Sequence, residues 1–214
     1  MENTNPLKES LGNFLRNLWD LMILNWLWTI CCLPVVTIGP ATCGLFAVTL
    51  KLVRGEPVYP VKYFFQSIRD NFKQGFLLGL LAMALFVLSG GDLYFAVQQT
   101  GILRSVYLVI GIIMAAGFLT VTGYAFALQA MFENPLKIQL RNAVLMAFVS
   151  PGRTIGIWLI LLLPVLSAVL LPPVAIKMLG FVYLVAGVSG PVYCASKLLR
   201  TVFDRVNGGP VVPQ

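Results

Sequence analysis

The sequence predicts an all-α, polytopic transmembrane helical bundle, and three observations lead there. Apolar residues make up 58% of the 214 and charged residues only 11%, whereas soluble domains average roughly 45–50% apolar and about 25% charged. Mean hydropathy is +0.87. The apolar residues gather into runs close to the ~20 residues that a helix needs to cross a bilayer. The few basic residues alternate between the loops that separate those runs.

About six membrane segments are expected, at 18–35, 38–53, 74–97, 105–131, 154–172 and 176–200. The second is short. Gly39-Pro40 breaks the chain before it, so it either spans or is re-entrant. No polar linker divides the chain, which reads as a single integral membrane domain over 1–214. Of the fifteen lysines and arginines, all but Arg104 and Lys177 lie in alternate loops or at the termini. Basic loops stay on the cytoplasmic side, so both termini are expected inside. The net charge of +7 then faces the anionic inner leaflet, and no nucleic-acid partner is implied.

Two stretches read as cytoplasmic interfacial helices. In 59–73, Val61, Phe64, Phe65, Ile68 and Phe72 recur at helical spacing, with Lys62, Gln66, Arg69, Asp70 and Lys73 opposite. Pro60 suits a first helical turn. In 135–149 the pattern is weaker: Leu136, Leu140, Ala143, Val144 and Ala147 share one face, away from Lys137, Arg141 and Asn142. Each stretch precedes two apolar runs, and Ile68-Arg69-Asp70-Asn71 echoes Leu140-Arg141-Asn142-Ala143. This suggests a parallel internal repeat, since an amphipathic helix plus an even number of spans preserves orientation.

Asp20 and Asp92 sit toward the edges of their runs, and the lysines and arginines lie in the loops or near the run ends. The interiors hold no Asp, Glu, Lys or Arg, and the whole chain contains no histidine. That weighs against a proton-coupled carrier and against a histidine metal site or general base. There is no nucleophile elbow, HExxH or phosphate loop, so neither an enzyme nor a cofactor is expected. Cys31, Cys32, Cys43 and Cys194 lie in or beside apolar runs without CxxC spacing and read as small buried side chains. Asn25, Thr29, Thr42, Thr49, Thr120, Thr122, Gln129, Ser167 and Ser189 read as interhelical hydrogen-bonding groups. Gly75/Gly79, Gly111/Ala115, Gly123/Ala127 and Gly152/Gly156 read as helix-packing faces. The motif 33–44 is the most unusual. Pro34 ends the first helix, and Thr37, Gly39 and Pro40 open the second. It is either a tight turn or a helix N-terminus offering amides to an anion or sugar hydroxyl.

Residues 17–75 resemble the YesL-like family of bacterial integral membrane proteins. The resemblance rests on Asn25 with Trp28, on Leu33-Pro34-Val35-Val36-Thr37-Ile38-Gly39, on Ala41 and Thr49-Leu50-Lys51, and on Phe64-Phe65 through Asn71-Phe72-Lys73-Gln74. The family is a domain of unknown function, often encoded beside carbohydrate ABC importers and glycan-degrading enzymes. The resemblance implies a carbohydrate-uptake context and carries over no catalytic residue. The EAA-type loop of an importer permease is not found.

The expected function is therefore an accessory or partner membrane protein associated with carbohydrate ABC import. The alternative is a self-contained transporter or channel for a small polar solute. Arg69, Asp70, Asn71, Lys73, Arg141 and Asn142 form the candidate partner surface. Pro34, Thr37, Gly39 and Pro40 form the candidate helix-break motif.

Overall fold

The computed structural model describes residues 6–132, 134–170, 180, 182–183 and 185–206. Among these residues every regular element is helical, with no strand. Helix α1 runs Pro6–Cys31. A short 3-10 turn, Val35–Thr37, leads into α2, Ile38–Arg54. Then come α3, Pro60–Asp70, and α4, Phe72–Gln98. Helix α5, Gly101–Thr120, continues through a π turn, Val121–Ala125, into α6, Phe126–Met131. Helices α7, Leu136–Val149, α8, Pro151–Leu170, and α9, Ser189–Val206, complete the described chain.

Helix α2 is the axis of the bundle. It packs on α1, α3, α4, α6 and α9. Small residues make this possible. Gly39 meets the backbone of Gly75 and Gly79, and a Cβ built on Gly39 would fall onto the Gly75 carbonyl oxygen. A Cβ on Gly75 would lie 3.0 Å from Pro40 Cα. The expected small-residue face at Gly75 and Gly79 is thus in use, against α2. Further along, Gly44 accepts Phe64 and Ile68 of α3, with Phe64 fully buried. Lys51 lies over the Tyr63 ring, 3.8 Å from its centroid. From Lys51 back to Gly39, the contacts on α2 pass from Tyr63 to Phe64 and Ile68 and then to Gly75. Helix α3 and the start of α4 therefore run antiparallel to α2.

Hydrogen bonds join the helices as the polar residues in the runs suggest. Asn25 Nδ2 donates to the Tyr183 carbonyl at 3.1 Å, and its Oδ1 accepts from the Val188 amide at 3.0 Å. Thr49 and Ser196 pair at 3.0 Å, and Trp28 donates to Thr42 at 3.3 Å. Arg200 donates to the Val53 carbonyl at 3.0 Å. Thr29, Thr120 and Thr122 instead bond carbonyls of their own helices. Tyr124, fully buried in the π turn, pairs with Thr154 at 2.8 Å. The Thr154 hydroxyl also lies 3.0 Å from the carbonyls of Ala147 and Ser150. That one side chain ties α8 and α7 across their 110° bend.

The stretch expected as one amphipathic helix at 59–73 is α3, and it ends at Asp70. Asn71 separates it from α4. Of its apolar face, Phe64 is buried and Ile68 half-buried, while Val61, Phe65 and Phe72 are exposed. In α7, Ala143 is buried, Leu136, Leu140 and Ala147 are half-buried, and Val144 is exposed.

Among the described residues, three helical stretches are long and apolar enough to cross a membrane: Val35–Arg54, Phe72–Gln98 and Gly101–Met131. The bent pair Leu136–Val149 and Pro151–Pro164 makes four if counted as one span. Six runs were expected. The run at 18–35 is the second half of α1, where Arg16 and Asp20 dilute the apolar residues. The run at 176–200 lies partly outside the described residues.

The three stretches differ in what covers them. Val35–Arg54 is 67% buried within the protein, against 17% for Phe72–Gln98 and 11% for Gly101–Met131. The α4–α5 hairpin exposes Phe86, Val87, Leu88, Val97, Ile102, Val109 and Ile113. A contiguous apolar face of that size is a liability in water and the ordinary condition in lipid. Polar groups inside the hairpin are consumed locally: Ser89 donates to the Gly111 carbonyl at 3.1 Å. The apolarity of α2 is explained by protein contacts, and that of α4 and α5 by lipid.

The α1–α2 turn sets the depth. Val35 and Val36 share a small apolar groove with Phe76, Leu80 and Met83. At 1.5 Å per residue, Met83 lies about 16 Å along α4 from Phe72. That is roughly half of a ~30 Å hydrocarbon core. Beyond Met83, α4 packs on α5, with Ser89 bonded to the Gly111 carbonyl. From the position of this groove, the hairpin of α1 and α2 is expected to reach only partway along the long helices.

Two outcomes are expected. Gly39→Val should destabilise the protein by about 1–3 kcal/mol through overpacking, read as a lower unfolding temperature in detergent. Gly90→Ala, which meets open space, should not. Val36→Cys in a cysteine-free background should resist membrane-impermeant thiol reagents from either side. Ready labelling from the outside would mean that α1 and α2 cross the whole bilayer.

Candidate functional site

The residues expected to carry function fall in separate places. Pro34 ends the α1 region by capping the 3-10 turn in an extended conformation. The Thr37 hydroxyl is shared by the carbonyls of Cys31 and Pro34, so its polar group is spent on the turn itself. Gly39 and Pro40 are buried against Gly75. The start of α2 is thus covered by α4.

The candidate partner surface divides. Asp70, Asn71 and Lys73 line a cleft of about 770 Å³ between the α3–α4 junction and the end of α6 with the segment after it. Arg69, Arg141 and Asn142 do not line it. Arg69 and Arg141 are exposed on α3 and α7, and Asn142 is half-buried.

The cleft is built by a break and a crossing. Helix α3 stops at Asp70 and α4 starts at Phe72, which leaves Asn71 at the joint. Asn71 Nδ2 donates to the Ser67 carbonyl at 3.1 Å, and this holds the joint. Its Oδ1 accepts from Gln129 Nε2 at 2.8 Å, which fastens the joint to α6. Below, Gln139 Nε2 of α7 donates to the Phe132 carbonyl at 2.8 Å and orders the segment between α6 and α7. Tyr63, Gln66, Gln74 and Asn134 complete most of the remaining wall.

Two carboxamide oxygens on the wall, of Gln74 and Gln129, and a third behind it, of Gln139 on α7, are buried and have no donor among the described residues. Gln129 is 4% exposed and Gln139 fully buried. An unpaired buried acceptor costs about 1–3 kcal/mol, so three in one region are a concentrated demand for hydrogen-bond donors. The charged side chains on the wall, Asp70 and Lys73, are exposed and of opposite sign.

Of these groups, Gln129 was visible in the sequence as a polar residue inside an apolar run. Gln74, Gln139 and Asn134 gave no such signal, because Gln74 sits at the edge of a run, Asn134 in a loop and Gln139 within the amphipathic stretch 135–149, where amides are ordinary. A second, apolar groove of about 600 Å³ lies among α5, α7 and α8, with Ile113, Val144, Ile155 and Trp158 on its walls.

Against this geometry the comparisons add one finding. Residues 21–93 match the model of a family described as a protein of unknown function, DUF624. The match runs from the middle of α1 through most of α4, and so takes in the α2–α4 glycine contact and one wall of the cleft. No curated protein and no solved structure matches the chain.

The Asn71–Gln129 bond should be measurable as a coupling. In a double-mutant cycle of Asn71→Ala and Gln129→Ala, followed by unfolding in detergent, an interaction of about 1 kcal/mol is expected. Additive single effects would show that the two amides are independent.

Proposed function

We propose that the chain is an integral membrane accessory protein, one that works beside a second membrane protein and is not itself the conduit. The observation that supports this is the division of the molecule. The long helices α4 and α5 present apolar side chains outward and pack on each other through apolar contacts such as Phe86 with Phe118 and Leu93 with Gly111. The polar and charged groups collect at the other end, around the α3–α4 joint and the end of α6. A conduit needs polar groups along the depth of the bilayer. An accessory protein needs an apolar flank and a polar, solvated end for its partner.

YesL-like proteins belong to the family that the 21–93 match names. On that resemblance the partner is a carbohydrate ABC importer in a bacterial plasma membrane, with the polar end and both termini on the cytoplasmic side. Arg69 on α3 and Arg141 on α7 are exposed there and available to acidic groups of a partner. The chain has no catalytic role in this reading. The alternative, a transporter for a small polar solute, draws on the size and amide lining of the cleft.

Charge reversal at both positions, Arg69→Glu with Arg141→Glu, tests the reading. Membrane insertion should be unchanged, while importer subunits should no longer co-purify in mild detergent and growth on the relevant glycan should fall. If partner and growth are both retained, this surface does not dock the importer.

A further inference from the structure

The geometry of the α3–α4 joint points to a binding site, and we propose that the cleft there takes a neutral, polyhydroxylated small molecule. The groups of the cleft alone define this site, whether or not the chain works beside an importer.

The wall is short of donors. Gln74 and Gln129 line the cleft, and each has a carboxamide oxygen without a partner among the described residues. Gln129 is 4% exposed, so its oxygen is not one that bulk water reaches from an open surface. Both oxygens are covered by neighbouring atoms while the cleft is empty; the terminal torsion of glutamine is broad and soft, and a ligand engages them by turning the amide. Native structures rarely leave such groups unpaired without a bound water or ligand.

The other groups fix the class of donor. Asp70 adds a further acceptor and Lys73 a donor, both exposed at the cleft. A phosphate would meet one lysine beside a carboxylate. An organic cation would meet the carboxylate beside the lysine. A hydroxyl both donates and accepts, so a molecule with several of them satisfies Gln74, Gln129 and Asp70 as donor and Lys73 as acceptor without net charge. Tyr63 and Phe132 supply ring surface on opposite elements of the cleft, α3 and the segment after α6. The volume of about 770 Å³ is within the ~300–1,000 Å³ usual for small-molecule pockets.

The position fits as well. One wall comes from the α3–α4 joint and the other from the end of α6 and the segment leading to α7. The first is the break between an amphipathic helix and a long apolar one, and the second is the connection that leads into the other amphipathic helix, α7. Ligand sites of membrane proteins built from repeats lie where the repeats meet.

The test uses the full chain purified in detergent, with D-glucose, maltose and myo-inositol as neutral polyols, spermidine as a cation and inorganic phosphate as an anion. Equilibrium dialysis with labelled ligand reads binding, and a thermal unfolding assay reads folding. At least one polyol should bind. Gln74→Leu and Asp70→Ala should each weaken it on the order of tenfold without lowering the unfolding temperature, since Gln74 loses an unpaired oxygen and Asp70 is exposed. Arg104→Ala, at the far end of the α4–α5 hairpin, should leave binding unchanged. The proposal is overturned if no polyol binds, if spermidine or phosphate binds in its place, or if binding is indifferent to both cleft variants.

Discussion

The contact between Gly39 on α2 and Gly75 and Gly79 on α4 is the constraint from which the rest of the arrangement follows. Two backbones can approach this closely only where neither carries a side chain, and in a lipid setting such packing replaces the hydrophobic drive that water would supply. Seating α2 against α4 at this point sets how deep the α1–α2 turn goes. It also puts Gly44 opposite Phe64 and Ile68, which fixes α3 along α2. With α3 held there, its end at Asp70 and the Asn71 joint fall beside α6, and the cleft forms as a consequence.

Polar groups then divide by depth. Toward the end where α2, α6 and α9 finish, backbone carbonyls find side-chain donors: Arg200 on Val53 and Arg153 on Thr201, with Ser189 on Leu21 further up the same bundle. Toward the tip of the α4–α5 hairpin the surface is aliphatic and aromatic, with Phe95 packed edge-on against Tyr94 and tilted against Tyr107 near its end. Aromatic residues at such a level are those that settle at a membrane interface. The two ends of one chain are thus solvated differently, and the helices that connect them carry the change along their length.

Much of this was legible in the sequence, and the misreadings have a common physical cause. The helical class, the Pro34–Gly39 break and the Gly75/Gly79 packing face follow from composition, backbone chemistry and spacing, which act locally. The amphipathic pattern of α3 was also local, and its Phe64 is buried as the pattern requires. Depth was not local. An apolar helix has the same sequence whether lipid or protein surrounds it, so the run at 38–53 reads equally as spanning or re-entrant; it is long and apolar enough to cross, and α1, α3, α4, α6 and α9 cover it. The cleft was hidden for a related reason. Gln74, Gln129 and Gln139 are ordinary amides until tertiary contacts bury their oxygens and supply no donor. Only Gln129 stood out, because its neighbours in sequence are apolar.

The internal repeat shows where sequence echo and architecture part. In the structure, α2, α3 and α4 are followed by α5–α6, α7 and α8 in the same order: a helix ending near the polar end, an amphipathic helix, a one-residue break and a long apolar helix. The breaks are at Asn71 and Ser150. The echoed residues do not share those positions. Ile68-Arg69-Asp70-Asn71 closes α3, whereas Leu140-Arg141-Asn142-Ala143 sits in the middle of α7. The order of elements therefore supports a repeat better than the four-residue match that suggested it. The two units have also been put to different use. At the first break Asn71 binds across to Gln129 and leaves open space beside it. At the second, Thr154 and Tyr124 close the bend with hydrogen bonds of 2.8–3.0 Å. That joint also keeps a buried group over, since the Ser150 hydroxyl has no partner among the described residues. The first joint differs in leaving two carboxamide oxygens, of Gln74 and Gln129, unpaired at the wall of a polar cleft, and the proposed binding site is set there for that reason.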